Sequence, residues 1–521
     1  MSDLVRERSV ALADFSGGLN NYWDPGSIAD NEVPFLINMD FSPNGALISR
    51  PAIYDSGIPA PVNGQYTDIL GYFTPANGSR YLIATSDAKT WSYDIEAVSP
   101  SWVEVWAFKA TGYVQYNDEA VFCKATTGGR RWTVAGGGTD ITTMPALDGL
   151  MIFRDRFFGW GVANTVNQTK LYFSDTITLA VPLGVYNWNA DSVFNIGRGD
   201  GQRISYVLAD YSKLIIFKSN STYSLTYSGL VEEGVISLIQ QGIGAENHDC
   251  VANYQNGYVV LHDQTLYKFM NDSYSPLNAQ KVIFNTDEAA GPWKKTFAVS
   301  VVGERAIIWF SGKIYVLNLE TGTWSIWESS AFPAIFKQRE RLNDEVLENE
   351  VAYAISGSMT SGKWKIYFME NKSTTSGGSE TFQCVLRTKI YDFLTPAEWK
   401  RLYWWGIDVS AVGEVRTSMY VVGLERYYSW DYMETYDWDF LEASFNWDRP
   451  GSGDPSISTV RNINDFEPRR TFLKLEQGVR FRRVYFEVYL NCDGTPATAP
   501  AQMFSITPLV GIKAKMTNGT S

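Results

Sequence analysis

Histidine is nearly missing from this chain: 521 residues contain His248 and His262 and no other. That scarcity takes the commonest general base and the commonest metal ligand out of most of the sequence. Cysteine is sparse too. Cys123, Cys250, Cys384 and Cys492 stand far apart and form no CxxC pair, which excludes a disulfide scaffold or a cysteine-rich zinc site and fits folding in a reducing cytoplasm. No apolar run approaches the roughly 18 residues of a membrane span. The opening MSDLVRERSVALADFSGG places charges where a signal peptide needs an apolar stretch, so a soluble chain with no membrane span is expected. Bases are outnumbered, 44 to 57, for a net charge of −13. This argues against nucleic-acid binding through a globally basic face, and no sequence-specific nucleic acid is expected as a partner. Long helical periodicity is absent except in one charged stretch, FKQRERLNDEVLENE at 336–350, which reads as a helix.

What the chain has in quantity is aromatic side chains, 15% of residues with 30 Tyr and 18 Trp. Large rings suit half-buried pleated surfaces, and also contacts with partners or sugars. Short apolar segments recur every ten residues or so, broken by Gly, Asn, Asp or Ser. Strand–turn–strand units begin at Tyr81 (YLIATSDAKTWSYD), Lys213 (KLIIFKSNSTYSLTY), Gly257 (GYVVLHDQTLYKF) and Ala306 (AIIWFSGKIYVLNLETGTWSIW). The last two intervals are roughly 45–50 residues, the length of a four-stranded propeller blade. A small sheet cannot cover both its faces, whereas neighbouring blades cover each other. The pattern therefore predicts an all-β chain built on a β-propeller, without fixing the blade number; a tandem of β-sandwiches is the alternative.

The texture changes near residue 380. A Ser/Thr/Gly-rich joint or hairpin loop, NKSTTSGGSE at 371–380, precedes strands such as RLYWWGIDVS and RVYFEVYL. The expected division is an extended N-terminal arm over 1–55, a propeller over 56–379 and a β-sandwich-like assembly domain over 380–521.

The candidate catalytic patterns are weak. His248 and Cys250 lie two residues apart, where on an extended segment they would point to one face, but no orienting Asn or Asp is identifiable. GRGDG at 197–201 has the glycines of a phosphate cradle, yet a strand follows it where a helix N-terminus is needed, so a tight turn is expected. Paired carboxylates for sugar hydrolysis need a cleft geometry that one sequence cannot supply, and calcium-loop spacing is absent. The expectation is no catalytic residue, no metal and no cofactor.

Charge segregation near the C-terminus is more informative. Residues 425–448 hold seven acids and one base, interleaved with rings that include the pairs Trp430–Asp431, Trp438–Asp439 and Trp447–Asp448. Residues 461–483 hold seven bases and three acids, among them Arg469, Arg470, Arg480, Arg482 and Arg483. One subunit's acidic face could meet its neighbour's basic face in a ring, with aromatic anchors and charges that set register. The competing readings are that both segments are ordinary strands with solvated charge, that they pair within one chain, or that the Trp–Asp pairs line a sugar groove. In the arm, Trp23, Phe35 and Phe41 stand among turn residues, as in an extended segment that packs along another surface; it would close the propeller or clasp an adjacent protein.

An ordered set of motifs adds a resemblance. GGLN (17–20), Asn31–Glu32, Asn38 with Asp40–Phe41, and GALISRP (45–51) resemble the opening of a group of bacteriophage tail proteins of the β-propeller type. LYFSD (171–175), GDGQRISYVLADYSKLIIFKSNSTYSL (199–225) and GIGAENHDCVANYQNGYVVLHDQTLYKF (242–269) are similar to propeller strands of that group, and residues 480–512 to its closing strands. The resemblance implies a non-enzymatic virion component of a tail nozzle, tube or tip, assembled in the host cytoplasm. Its implied partners are copies of itself and neighbouring tail proteins, with a host-surface glycan or receptor as a further possibility. The alternative is a receptor-binding or glycan-degrading tail module.

Overall fold

The computed structural model describes most of residues 5–513. The larger stretches outside it are 42–45, 60–65, 162–167, 177–183, 228–232, 283–297, 329–340, 345–348, 358–363, 371–381, 394–399, 423–456 and 493–501, with both ends and some shorter or single positions. Among the described residues the secondary structure is β throughout, apart from two short 3-10 turns.

Seven antiparallel four-stranded units follow one another along the chain. Their first strands begin at residues 66, 112, 149, 204, 251, 298 and 341. Each first strand lies beside the next unit, and the last unit returns to the first through the strands Asn349–Gly357 and Tyr66–Phe73. This is a β-propeller, and the blades are numbered here 1–7 in that order.

The ring forms because the middle strands are apolar on both faces. In KLIIFK of blade 4, Leu214 and Ile216 join Phe158, Trp160 and Leu171 of blade 3, while Ile215 and Phe217 join Val259, Leu261 and Phe269 of blade 5. In blade 2, Phe122 faces blade 1 with Trp106 and Phe73, and Val121 and Cys123 face blade 3 with Leu150 and Phe157. A strand sandwiched between two neighbours needs a continuous apolar run rather than alternation, which is what these segments supply. At about 25 cal/mol per Å² of buried apolar surface, each blade is held chiefly by its neighbours.

Blade 7 takes its outer strand from the other end of the chain. Ile53–Asp55 pairs antiparallel with Trp364–Glu370, in the register Tyr54 opposite Phe368. Blade 6 also extends beyond four strands. Its outer strand Trp324–Trp327 pairs in parallel with Phe35–Ile37, which pairs with Phe382–Arg387, and the sheet runs on through Arg483–Cys492, Lys400–Val422 and Gln502–Lys513 to the N-terminal strands Leu47–Ser49 and Met39–Phe41. The thirteen-stranded sheet therefore interleaves the two chain ends.

Of the stretch 336–350, expected as a helix, the described residues lie in strands. Arg341–Asp344 is a strand paired with Asn349–Gly357, Arg341 opposite Ala352 and Asp344 opposite Asn349. Charged residues with helical propensity yield here to a ladder offered by the neighbouring VAYAISG strand, since local preference is weaker than a ring of sheet contacts. Residues 336–340 and 345–348, like the joint at 371–380, lie outside the described residues.

Candidate functional site

Two places gather polar side chains: the seam where the arm enters the sheet, and the axial cavity of the propeller. The seam begins with the motif residues at 17–32. Gly18–Leu19 pairs in parallel with Glu32–Val33. Asn20 Nδ2 donates to Glu32 Oε2 at 2.8 Å, Lys281 Nζ lies 2.9 Å from Glu32 Oε1, and the Ala29 N–H donates to Glu32 at 3.1 Å. Burial opposes the charge on Glu32, but these donors outweigh it and hold the carboxyl below its ordinary value.

Deeper in the seam, Asn38 adopts φ +58°, a left-handed turn that Asn tolerates better than most residues. Its Oδ1 accepts from Arg50 Nε at 2.9 Å and from the Glu328 N–H at 2.7 Å, while its Nδ2 donates to the Gln383 carbonyl at 2.9 Å. The Cys384 thiol donates to the Asn38 carbonyl at 3.0 Å. Arg50 is 2% exposed, and its Nη2 donates to the Glu328 carbonyl at 3.2 Å. Asp40 meets Arg305 of blade 6 at 2.6 Å. One cluster thus ties the arm, blade 6 and the strand Phe382–Arg387. Beside it, Arg387 pairs with buried Glu487 at 2.5 Å. In such a dry setting each of these groups needs its partners.

The axial cavity encloses about 1540 Å³. Its wall comes from the first strands of blades 1–6, whose Leu70, Leu150 and Val207 are buried in the cores between blades. At the end where those strands begin, Lys109, Asp148, Arg203, His248 and Asp249 reach the cavity. Arg203 Nη1 lies 4.0 Å from Asp148 Oδ2, and His248 Nε2 lies 3.0 Å from Asp249 Oδ1 without the angle of a hydrogen bond. Burial pushes the Asp148 carboxyl up, with Arg203 and His248 opposing. The other end carries Tyr211, Gln255 and Asn256 at hairpin turns.

Neither a protein-family model nor a curated relative matches the chain. Solved structures to which it is similar include the WD40 domain of Pan2 from Neurospora crassa, at 10% identity, TM-score 0.39, covering 62% of this chain and 96% of that one. Another is BBS1N, solved in complex with ARL6DN, at 9% identity, TM-score 0.42, covering 62% and 98%. The WD40 propeller of Doa1 stands at 9% identity and TM-score 0.38, covering 62% and 98%. These are likenesses of fold. They assign no role.

The catalytic patterns dissolve in three dimensions. His248–Cys250 is a 3-10 turn capped by the Asn247 side chain, not the extended segment assumed from spacing. Burial pushes the Cys250 thiol up to about 12, so it is protonated at neutral pH. His262 ends the strand Gly257–His262, opposite Thr265. GRGDG is a turn between blades 3 and 4, with Gly197, Gly199 and Gly201 at positive φ. Its Asp200 binds Lys218 Nζ at 2.7 and 2.8 Å, and the same ammonium donates to the carbonyls of Ile196 at 2.8 Å and Gly197 at 3.2 Å. The Arg-Gly-Asp acid is thus engaged inside the molecule.

The structure places the expected interface residues unevenly. Trp430, Asp431, Trp438, Asp439, Trp447, Asp448 and Arg482 lie outside the described residues. Arg469, Arg470 and Arg480 lie on Ile457–Phe481, opposite Val409, Asp408 and Arg401 of Lys400–Val422. Arg483 is exposed and opposes Val422. Of the arm residues, Phe41 is buried in the main core, Phe35 lies 5.4 Å beneath the Arg387 guanidinium, and Trp23 is 56% exposed, edge-on to Tyr22. Sequence reasoning missed Asn38, Asp40 and Arg50 as a buried cluster and Arg203 and Asp148 as channel residues. The first three stood inside recognised motifs, which was a usable signal; the last two carried none.

Proposed function

We propose that this chain is a structural component of a bacteriophage tail, in its nozzle, tube or tip, which assembles as a homo-oligomeric ring and turns over no substrate. The observation that carries the reading is the strand Ile457–Phe481. It pairs along one side with Lys400–Val422, and among the described residues its other edge has no partner. An edge of this strand, 25 residues long, that is open among the described residues is a template for a neighbouring chain. This edge also bears Arg469, Arg470 and Arg480, the basic half of the segregated charge, and irregularities in its register with Lys400–Val422 restrict how a partner can align.

The motif set shared with tail proteins supports the same reading. Its polar members Asn20, Glu32, Asn38, Asp40 and Arg50 are spent on internal contacts, as suits residues kept for architecture. Exposed Tyr22 and Trp23 are the arm's candidates for touching a neighbouring tail protein. Assembly in the host cytoplasm, a separate assembly unit over 380–521 and a place in the tail of the virion belong to this proposal. Purified protein examined by native mass spectrometry and electron microscopy is expected to form closed rings, and Arg469→Glu with Arg470→Glu to leave folded monomers. A wild-type chain that stays monomeric, and that is missing from tails in a map of intact particles, overturns the reading.

A further inference from the structure

We propose that Lys281, Glu32 and Asn20 are set to form an isopeptide bond, the lysine amine displacing ammonia from the asparagine carboxamide with Glu32 as proton carrier. The inference stands apart from the tail role and rests on how one buried carboxylate is shared. Glu32 Oε1 lies 2.9 Å from Lys281 Nζ, and Glu32 Oε2 accepts from Asn20 Nδ2 at 2.8 Å. A nucleophile and an acyl donor thus stand on the two oxygens of one base. Other lysine–carboxylate pairs differ. Both oxygens of Asp200 go to the Lys218 ammonium, and Asp30, the partner of Lys389, is an exposed acid. Asn20 is 3% exposed and Glu32 8%, and the adjacent Leu19, Val33 and Val282 belong to the main core. Lys281 reaches in from the connection between blades 5 and 6. The reacting carbon is thereby screened from water, which would compete with the amine.

The backbone holds the partners together. The Asn21 N–H donates to the Lys281 carbonyl at 3.0 Å, and the Asn20 N–H to the Val33 carbonyl at 2.8 Å. Lys281 Nζ also donates to the Gly17 carbonyl at 3.2 Å. Gly17 makes room for the acid, since a Cβ there would lie 2.6 Å from Glu32 Cγ. The Trp23 N–H donates to Asn20 Oδ1 at 3.4 Å, the oxygen on which negative charge develops when the amine adds. The step balances. Glu32 takes a proton from the Lys281 ammonium, and the neutral amine adds to Asn20 Cγ across a short swing of its flexible stem. The Cγ–Nδ2 bond breaks as Glu32 returns that proton to the leaving nitrogen, and the surplus proton of the new amide departs with ammonia as ammonium. The hydrogen bonds that depress Glu32 keep it ionised at rest, so protonated Glu32 beside a neutral amine is a minor population and linkage is a slow maturation. Once made, the bond ties the arm to the connection between blades 5 and 6 and closes a loop that contains blades 1–5.

Intact-mass spectrometry of the full chain, freshly prepared and then incubated at neutral pH over several days, follows the conversion. The expected product is lighter by one ammonia. Its tryptic digest is expected to contain a branched peptide that joins the segment bearing Asn20 to one left uncut after Lys281. Lys281→Arg keeps the ion pair, but its guanidinium stays protonated and does not add. Glu32→Gln keeps a hydrogen-bonding partner for Asn20 and removes the base. Both variants are expected to retain full mass throughout, and Lys281→Arg serves alone where Glu32→Gln fails to fold. The readout is a covalent bond, which a merely structural role for these three residues would not produce. A wild-type chain that keeps its full mass and is cut after Lys281 overturns the proposal. So does an ammonia loss that persists in Lys281→Arg, or a branch at Glu32 formed with loss of water.

Discussion

Lys218 has a side chain with no exposure to solvent, yet it keeps its charge balanced through Asp200 and two carbonyls. Removing one member of such a cluster strands the others without water. Lys218→Ala is expected to cost about 3–5 kcal/mol in chemical denaturation, and Lys218→Met with Asp200→Ala to cost less than Lys218→Met alone. Glu32 gives a pH dependence of definite sign. Its folded-state pKa is depressed below 4.5, so its contribution is present above that value and is lost as pH falls through the folded value. Glu32→Gln should be less stable at neutral pH and should narrow the gap to wild type in acid, measured by urea midpoints across a pH series. Cys123 and Cys250, both buried with thiols raised to about 12, should resist alkylation in the native protein and react on unfolding, as read by mass spectrometry.

The elements show how the seam is kept tight. Gly18 has φ +74°, and a Cβ there would sit 2.9 Å from the Trp324 backbone nitrogen. Gly18→Ala therefore meets both backbone strain and a fixed neighbour, and should cost about 1–3 kcal/mol in a denaturant titration. Strand pairs were legible because KLIIFK, GYVVLH and KIYVLN are apolar on both faces and bounded by turn residues. The strand at 341–344 was not, because its sequence carries helical propensity and only the blade that receives it supplies a ladder. Near the C-terminus RLYWWGIDVS and RVYFEVYL were legible as strands. Their partners were not, since register depends on residues distant in sequence: Arg470 lies opposite Asp408.

At the scale of the molecule, the arm is a closing element. Ile53–Asp55 completes blade 7, and Phe35–Ile37 bridges blade 6 to the C-terminal strands. Deleting residues 1–57 removes both connections. The expected result is loss of the single cooperative transition in calorimetry, with blades 6 and 7 opening first in hydrogen exchange; an unchanged melting profile would show that the ring closes without the arm. Composition and the spacing of apolar runs were enough to determine an all-β chain and to favour repeated blades over tandem sandwiches, because burial between neighbouring blades imposes its own pattern on each strand. The blade number, the shared outer strand and the polar cluster of Asn38, Asp40, Arg50 and Arg305 were decided only in three dimensions. Ring closure and buried charge pairing both depend on contacts between chain ends hundreds of residues apart, and local sequence preference carries no information about such distances.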